Sequence, residues 1–243
     1  MTVFGISDRG IVRRSNQDSF RIHGEEDGSL AAAVLCDGMG GAKSGEVASA
    51  LAAETFLTSA LEDLRQHPEM DIADIGREST AYANLKVYDR AWRDEDCRGM
   101  GTTLVAVLVR EDAAVIVNVG DSRGYWFADG HIQQVTRDHS HVQELVEQGL
   151  ITPSQARSHP RKNLITRAIG LERRIHSDVF RLDLQSEDRI LLCSDGLSNL
   201  IKEEEMSEVL CRREDLQSSC QQLLQMALDR GAPDNVTVVI LER

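Results

Sequence analysis

Thr103-Leu104-Val105-Ala106-Val107-Leu108-Val109, Ala114-Val115-Ile116-Val117-Asn118-Val119 and Gly124-Tyr125-Trp126-Phe127 follow one another with only short polar breaks between them. Short apolar runs rich in branched residues read as strands. Neighbouring strands with no helix between them fit antiparallel pairing. The turn Ala128-Asp129-Gly130-His131 reads as a hairpin from Phe127 to Ile132. Outward from this centre, Val3–Ile6, Leu30–Cys36, Arg189–Cys193 and Val236–Leu241 have the same strand character. Helices are expected from Ser44 to about Leu64, with Val47, Leu51, Glu54 and Leu61 at helical spacing, and from about Ile72 to Arg93, with Ile75, Ala83, Val87 and Trp92 on an apolar face. A third helix is expected from Leu216 to Arg230, ended by Gly231 and Pro233. Helices thus separate groups of strands instead of alternating with each one. This order predicts an α+β fold with antiparallel sheets, not a doubly wound parallel sheet.

Between Asp138 and about Leu171 the strand rhythm stops. Two short helical patterns, His141–Gln148 and Pro153–Ser158, precede the basic run His159-Pro160-Arg161-Lys162. Connections of this length in small folds often serve as lids or binding loops, so 138–171 is expected to be a mobile flap. No repeat, low-complexity tract or linker divides the chain, and residues 1–243 are expected to form one domain.

Composition narrows the function. Among 243 residues, 40 acidic and 27 basic side chains give a net charge of −13, which argues against nucleic acid as the main partner. No apolar run reaches the roughly 20 residues of a membrane span, and no polybasic segment marks a lipid-surface protein. Met1–Gly5 has no signal-peptide layout, so the cytoplasm is the expected location. The five cysteines are odd in number and none stands in a CxxC spacing, which argues against a disulfide framework or a thiolate zinc site. Cys36 and Cys193 read as small buried hydrophobes.

Four aspartates stand out because each is expected to follow an apolar strand and meet glycine or a turn: Asp37-Gly38-Met39-Gly40-Gly41, Gly120-Asp121-Ser122, Ser194-Asp195-Gly196 and Pro233-Asp234-Asn235. Carboxylates that converge repel unless cations stand between them, and hard divalent ions with oxygen ligands are the natural answer. The stretch from Asp37 to Gly45 is neither a Walker A loop, which needs glycine at Ala42, nor a dinucleotide fingerprint, which needs glycine at Lys43. Arg13, five residues before Asp18, has the planar fork that suits a phosphate oxygen pair.

Arg13…Asn16-Gln17-Asp18, Asp37-Gly38-Met39-Gly40-Gly41, Met100-Gly101-Thr102-Thr103, Val119-Gly120-Asp121-Ser122-Arg123, Asp138-His139-Ser140, Ser194-Asp195-Gly196-Leu197 and Asp234-Asn235-Val236-Thr237 occur in the order of the metal-dependent protein phosphatase 2C family. From Gly5 to Leu241 the chain resembles that family's compact bacterial serine/threonine phosphatases. The resemblance implies a four-layer α-β-β-α sandwich of two antiparallel sheets flanked by helices. It implies two Mn²⁺ or Mg²⁺ ions bridged by Asp37, with the Gly38 carbonyl on one and Asp195 and Asp234 on the other. Asp18 would hold water around the ions, and Arg13 would clamp the substrate phosphate. A weaker third ion would sit at Asp121, shared with Asp195. The implied reaction is hydrolysis of phosphoserine and phosphothreonine by direct attack of a metal-bridging hydroxide, without a phosphoenzyme. Implied partners are phosphorylated proteins, among them a bacterial Ser/Thr kinase and its targets, and the protein would act as a monomer.

The chain departs from the family where relatives carry histidine, at Met39 in animal members and at Ala42 in many bacterial ones, so the acid that protonates the leaving group is unassigned. Gln17 replaces a glutamate common in relatives. His139 reads as a structural hydrogen-bonding residue. Two other readings of the same residues are open: a phosphatase dedicated to one regulatory partner, and an inactive phosphoprotein-binding module.

Overall fold

The apolar runs pair into two antiparallel sheets, whose central strands are buried on both faces. The computed structural model describes residues 1–40 and 44–243. Its strands are β1 (Thr2–Asp8), β2 (Asp18–Gly24), β3 (Leu30–Met39), β4 (Gly101–Thr102), β5 (Leu104–Arg110), β6 (Ala113–Val119), β7 (Arg123–Ala128), β8 (His131–Gln134), β9 (Asp178–Asp183), β10 (Arg189–Cys193) and β11 (Val236–Glu242). Its helices are α1 (Ser44–Gln66), α2 (Ile72–Arg93), α3 (His141–Glu147), α4 (Pro153–Arg157), α5 (Asp195–Ser198), α6 (Glu203–Cys211) and α7 (Leu216–Asp229). One sheet has the order β1-β11-β10-β7-β8 and the other β2-β3-β5-β6-β9, with β4 added beside β3.

Side-chain alternation sorts the core into three layers. Ala31, Ala33 and Leu35 of β3 and Val105 and Val107 of β5 meet Ile190, Leu192, Val239 and Leu241 of the opposite sheet. The other face of β3 and β5, with Ala32, Val34, Cys36, Leu104 and Ala106, packs on Ala48, Ala52 and Phe56 of α1 and Ile75 and Ala83 of α2. Leu191, Cys193, Val238 and Ile240 pack outward on Leu210 of α6 and Leu223 and Ala227 of α7. The order is therefore helix, sheet, sheet, helix, the expected sandwich. Strands covered on both faces explain why these runs are continuously apolar. Burying each Leu, Val or Ile contributes about 1.5–3 kcal/mol, and Ile116→Ala in the layer between the sheets should cost about 2–5 kcal/mol.

The structure corrects several expectations. The buried stripe of α1 is Ala48, Ala52, Ala53, Phe56 and Ala60, whereas Val47 is exposed. Alanine lets the helix axis approach the sheet closely, so the small stripe wins the inner position. Ile75, Ala83 and Val87 face the core from α2, but Trp92 is 80% exposed. The run expected from Thr103 begins two residues earlier and breaks at Thr103, between β4 and β5. Strands β2 and β9 and helix α6 were not foreseen. The segment without long strands contains both expected short helices, α3 and α4, and ends only at β9. No described helix is long and apolar enough to cross a membrane.

Candidate functional site

At one end of the sandwich the last residues of β3, β6 and β10 lie beside the first of β11. Asp37 lies near the end of β3, Asp121 just beyond β6, and Asp195 opens α5 directly after β10. Asp234 differs from expectation: it precedes a strand, β11. Because β11 runs antiparallel to β10, with Cys193 opposite Val238, its start meets the end of β10. All four carboxylates line one cleft, together with Arg13 and Gly38.

Asp18 lies beneath this cleft, 7% exposed, and sits opposite Asp37 in the β2–β3 ladder. Its Oδ2 accepts hydrogen bonds from Thr237 Oγ1 at 2.6 Å and Ser194 Oγ at 2.8 Å. Asp18 therefore ties the two sheets together. Thr102 and Thr103 fix Asp37: the Thr102 hydroxyl and the Thr103 N–H donate to its carbonyl at 2.8 and 2.9 Å, and its own N–H donates to Thr103 Oγ1 at 2.9 Å. Asn235 anchors the amino-terminal loop, accepting from the Gln17 N–H at 2.8 Å and donating to the carbonyls of Arg9 and Ser15 at 2.8 and 3.0 Å. Threonines and Asn235 stood in the recognised segments without a role. Hydrogen-bonding side chains beside each aspartate were the available signal.

Close approach fixes one glycine. A Cβ on Gly38 would stand 2.1 Å from the Gly45 carbonyl oxygen, so the close approach of α1 excludes any side chain there. Residues 41–43, including Ala42, lie outside the described residues. Met39, inside the cleft, offers no proton.

Electrostatics show how closely the acids crowd. Burial, then Asp18, Asp195, Asp121 and Asp234, hold the Asp37 carboxyl well above the ordinary range. Burial, opposed by the two hydroxyls and reinforced by Asp195 and Asp234, raises Asp18 to about 7. Burial and Asp195 raise Asp121 to about 8. Burial and Asp234 raise Asp195 to about 6, against the opposing charges of Lys162, Arg123 and Arg13. Arg13 donates to Asp234 Oδ2 at 2.7 Å, and Arg14 lines the same cleft.

The donor set suits divalent cations. It is all oxygen, mutually repelling as carboxylates, and leaves Oδ1 of both Asp18 and Asp195 buried without a hydrogen-bond partner. Among the described residues no three such side chains close tightly enough to hold an ion by themselves. Ions here would therefore keep much of their water, as hard cations on sparse carboxylates do.

The segment 138–171 borders the cleft. Its root is fixed by His139, 7% exposed, whose Nδ1 accepts from the Gly120 N–H at 3.0 Å, next to Asp121. Its Nε2 lies 3.2 Å from Asp178 Oδ2. This is the structural role expected of His139. Asn163, Leu164, Ile165 and Leu171 form the cleft wall on this side.

A family model described as Protein phosphatase 2C matches residues 11–236. The Serine/threonine phosphatase stp of Listeria innocua is 36% identical over 245 residues, spanning 98% of this chain and 94% of that protein. The crystal structure of Serine/threonine phosphatase Stp1 from Staphylococcus aureus has a TM-score of 0.88 at 36% identity, covering 99% of this chain and 94% of that one. The catalytic domain of serine threonine protein phosphatase PstP, crystallised with 2 manganese ions, has a TM-score of 0.84 at 36% identity, covering 99% of this chain and 97% of that one.

Proposed function

This chain belongs to the protein phosphatase 2C family and is a serine/threonine phosphatase of it, and from that premise we propose that it hydrolyses phosphoserine and phosphothreonine in proteins, in a reaction that requires Mn²⁺ or Mg²⁺. The observation that carries the metal requirement is the convergence of Asp37, Asp121, Asp195 and Asp234 on one cleft that also holds Arg13. The relative crystallised with 2 manganese ions supports it.

Asp37, Asp195, Asp234 and the Gly38 carbonyl would hold two ions, and Asp121 with Asp195 a third. When bound, the ions would supply an activated water and neutralise charge on the phosphate. The remaining chemistry falls to the chain. Arg13 exchanges Asp234 for phosphate oxygens and holds the group in line for attack. Asp18 keeps the two sheets in register under Asp37 and presents its unpartnered Oδ1 to water. Thr102 and Thr103 hold the Asp37 backbone rigid, so the carboxylate needs no rearrangement during the reaction.

We read residues 1–243 as one catalytic domain with the flap at 138–171 as an insertion in it, acting as a monomer. Its partners would be phosphorylated proteins, including a bacterial Ser/Thr kinase and its targets. Four of the five cysteines are buried and unpaired, which suits the reducing cytoplasm.

The test is phosphate release from phosphoserine and phosphothreonine peptides by metal-stripped protein, before and after Mn²⁺ is added. Activity should vanish with chelator and return with the ion. Asp37→Asn should lower turnover by at least about a hundred- to a thousand-fold, the scale of losing one preorganised electrostatic group, with an unchanged circular dichroism spectrum. Full turnover under chelator would refute the metal requirement. Peptide binding without any turnover would favour the inactive-module reading.

A further inference from the structure

A second cavity meets the catalytic cleft at Asp121 and Asp195 and runs between flap helices α3 and α4 and the corner joining α5 to α6. Nothing in the reaction derived above uses it. Besides Arg123, which is paired with Asp138, three cations line it: Arg157 and Lys162 from the flap, and Lys202 just before α6. None of the three forms an ion pair with a described residue. The nearby acids are largely engaged. Asp138 is held by both Nε and Nη2 of Arg123, at 3.0 and 2.7 Å, and Glu205 is held by Arg230. The other acids in the lining are Glu203 and, where the cavity meets the cleft, Asp121 and Asp195, which would hold metal ions. Val142, Val146, Leu200 and Ile201 supply an apolar wall.

The charge of the surrounding segment is unusual for this chain. From Arg157 to Arg174 there are six arginine and lysine residues against the single Glu172, in a protein whose net charge is −13. The body repels an acidic peptide while this wall attracts it, which orients such a peptide before contact. Because the cavity opens onto the cleft at Asp121 and Asp195, an anionic side chain a few residues from the reacting one can reach it, consecutive Cα atoms being about 3.8 Å apart.

We propose that this cavity is a subsite for a second anionic group of the phosphoprotein, a carboxylate or a further phosphate, bound by Arg157, Lys162 and Lys202 while the first phosphate occupies the catalytic cleft. The proposal rests on the phosphatase reading and extends it to the class of substrate: acidic or multiply phosphorylated segments. Arginine takes both oxygens of such a group, and the lysines add point charges. The apolar wall accommodates the stem of the side chain.

The experiment compares three phosphothreonine peptides of one sequence, carrying alanine, glutamate or a second phosphothreonine at positions three to five residues away. Wild-type protein should prefer the two anionic peptides over the neutral one by about five- to ten-fold in kcat/KM, the scale of one or two partly exposed charge pairs. The preference should shrink as salt is raised. Whichever anionic peptide shows the larger preference identifies carboxylate or phosphate as the group bound. Arg157→Gln combined with Lys162→Gln should bring the ratio to near one, Lys162→Arg should keep it, and Lys86→Gln on the remote face of α2 should not alter it. Dissociation constants for the same peptides, measured by fluorescence anisotropy with Asp37→Asn protein, should show the same order. Equal values for all three peptides in both measurements, or a preference that survives the double substitution, would overturn the subsite. Failure to hydrolyse any peptide would instead refute the phosphatase reading, and the binding order would still decide the subsite.

Discussion

Arg13 and Arg14 are adjacent in sequence, and chain order alone does not say which meets phosphate. Both line the cleft, but Arg13 is the one paired with Asp234 among the carboxylates. Arg13→Ala should therefore raise KM and lower kcat/KM by roughly 1.5–3 kcal/mol, the range of a charge-assisted hydrogen bond. Arg14→Ala should cost clearly less, and equal losses in steady-state kinetics would reassign the phosphate clamp. Asp121 poses a different question, because Met39 cannot protonate a leaving group. With Asp195 it would hold the third ion, and water on that ion would be the available source of a proton. Asp121→Ala should reduce kcat for a phosphoserine peptide more than for an aryl phosphate, whose leaving group needs less protonation. Equal slowing of both substrates would remove Asp121 from proton delivery, and no slowing would leave it a turn residue. The acidic positions themselves were legible one by one, since each stands beside glycine or a turn, although Asp234 precedes its strand instead of following one. The hydroxyls of Ser194 and Thr237 on Asp18 were not. Their partner lies more than 170 positions away, and only the meeting of two sheets brings it near.

The segment 138–171 is tied at both ends. Ile169 N–H donates to the Thr102 carbonyl at 2.8 Å, Thr166 N–H to His139 at 2.8 Å, and Gly170 N–H to Asn84 Oδ1 at 2.8 Å. Helix α4 between those ties has no buried residue. Hydrogen exchange should thus divide the segment, with α4 exchanging fast while the amides of Thr166, Ile169 and Gly170 are protected like the sheets. Uniform fast exchange through 138–171 would contradict the anchoring, and protection of α4 at sheet level would contradict a moving flap. Element reading from sequence succeeded where both faces of a strand are buried, as in β5, β6 and β10, because continuous apolar runs leave few alternatives. It failed at β2 and β9, whose arginine, histidine and aspartate residues interrupt the pattern on exposed edges. It also failed at α6, which begins with Glu203-Glu204-Glu205 and declares its apolar face only at Met206, Val209 and Leu210. For α1 the helix was right and the inward face only in part: Leu51 and Leu61 pack at the side of the alanine stripe, while Val47 and Glu54 are exposed, since periodicity does not say which of two stripes lies against a sheet.

At the scale of the molecule, the fold gathers acids that it must then neutralise. Asp18, Asp195 and Asp121 are raised to about 7, 6 and 8, above the ordinary carboxylate range near 4. The folded chain therefore binds their protons more tightly than the unfolded chain does. The resulting stability is complete below about pH 4 and is lost as pH rises through 6 to 8. Metal-stripped protein should unfold at a lower temperature at pH 8 than at pH 5. Divalent ions bind the ionised form, so Mn²⁺ should raise the melting temperature more at pH 8 than at pH 5. Thermal denaturation with and without chelator checks both signs. Convergence of the four aspartates depends on register between strands far apart in sequence, which residue spacing alone does not encode; the family resemblance implied it, and the sandwich supplies its geometry. The most direct measurement of that geometry is anomalous scattering near the manganese edge from crystals grown with Mn²⁺. Two strong peaks should flank the Asp37 carboxylate, within coordination distance of Asp195, Asp234 or the Gly38 carbonyl, with a weaker third beside Asp121. Fully loaded crystals with no peak at Asp37, or with manganese bound only away from this cleft, would contradict the account.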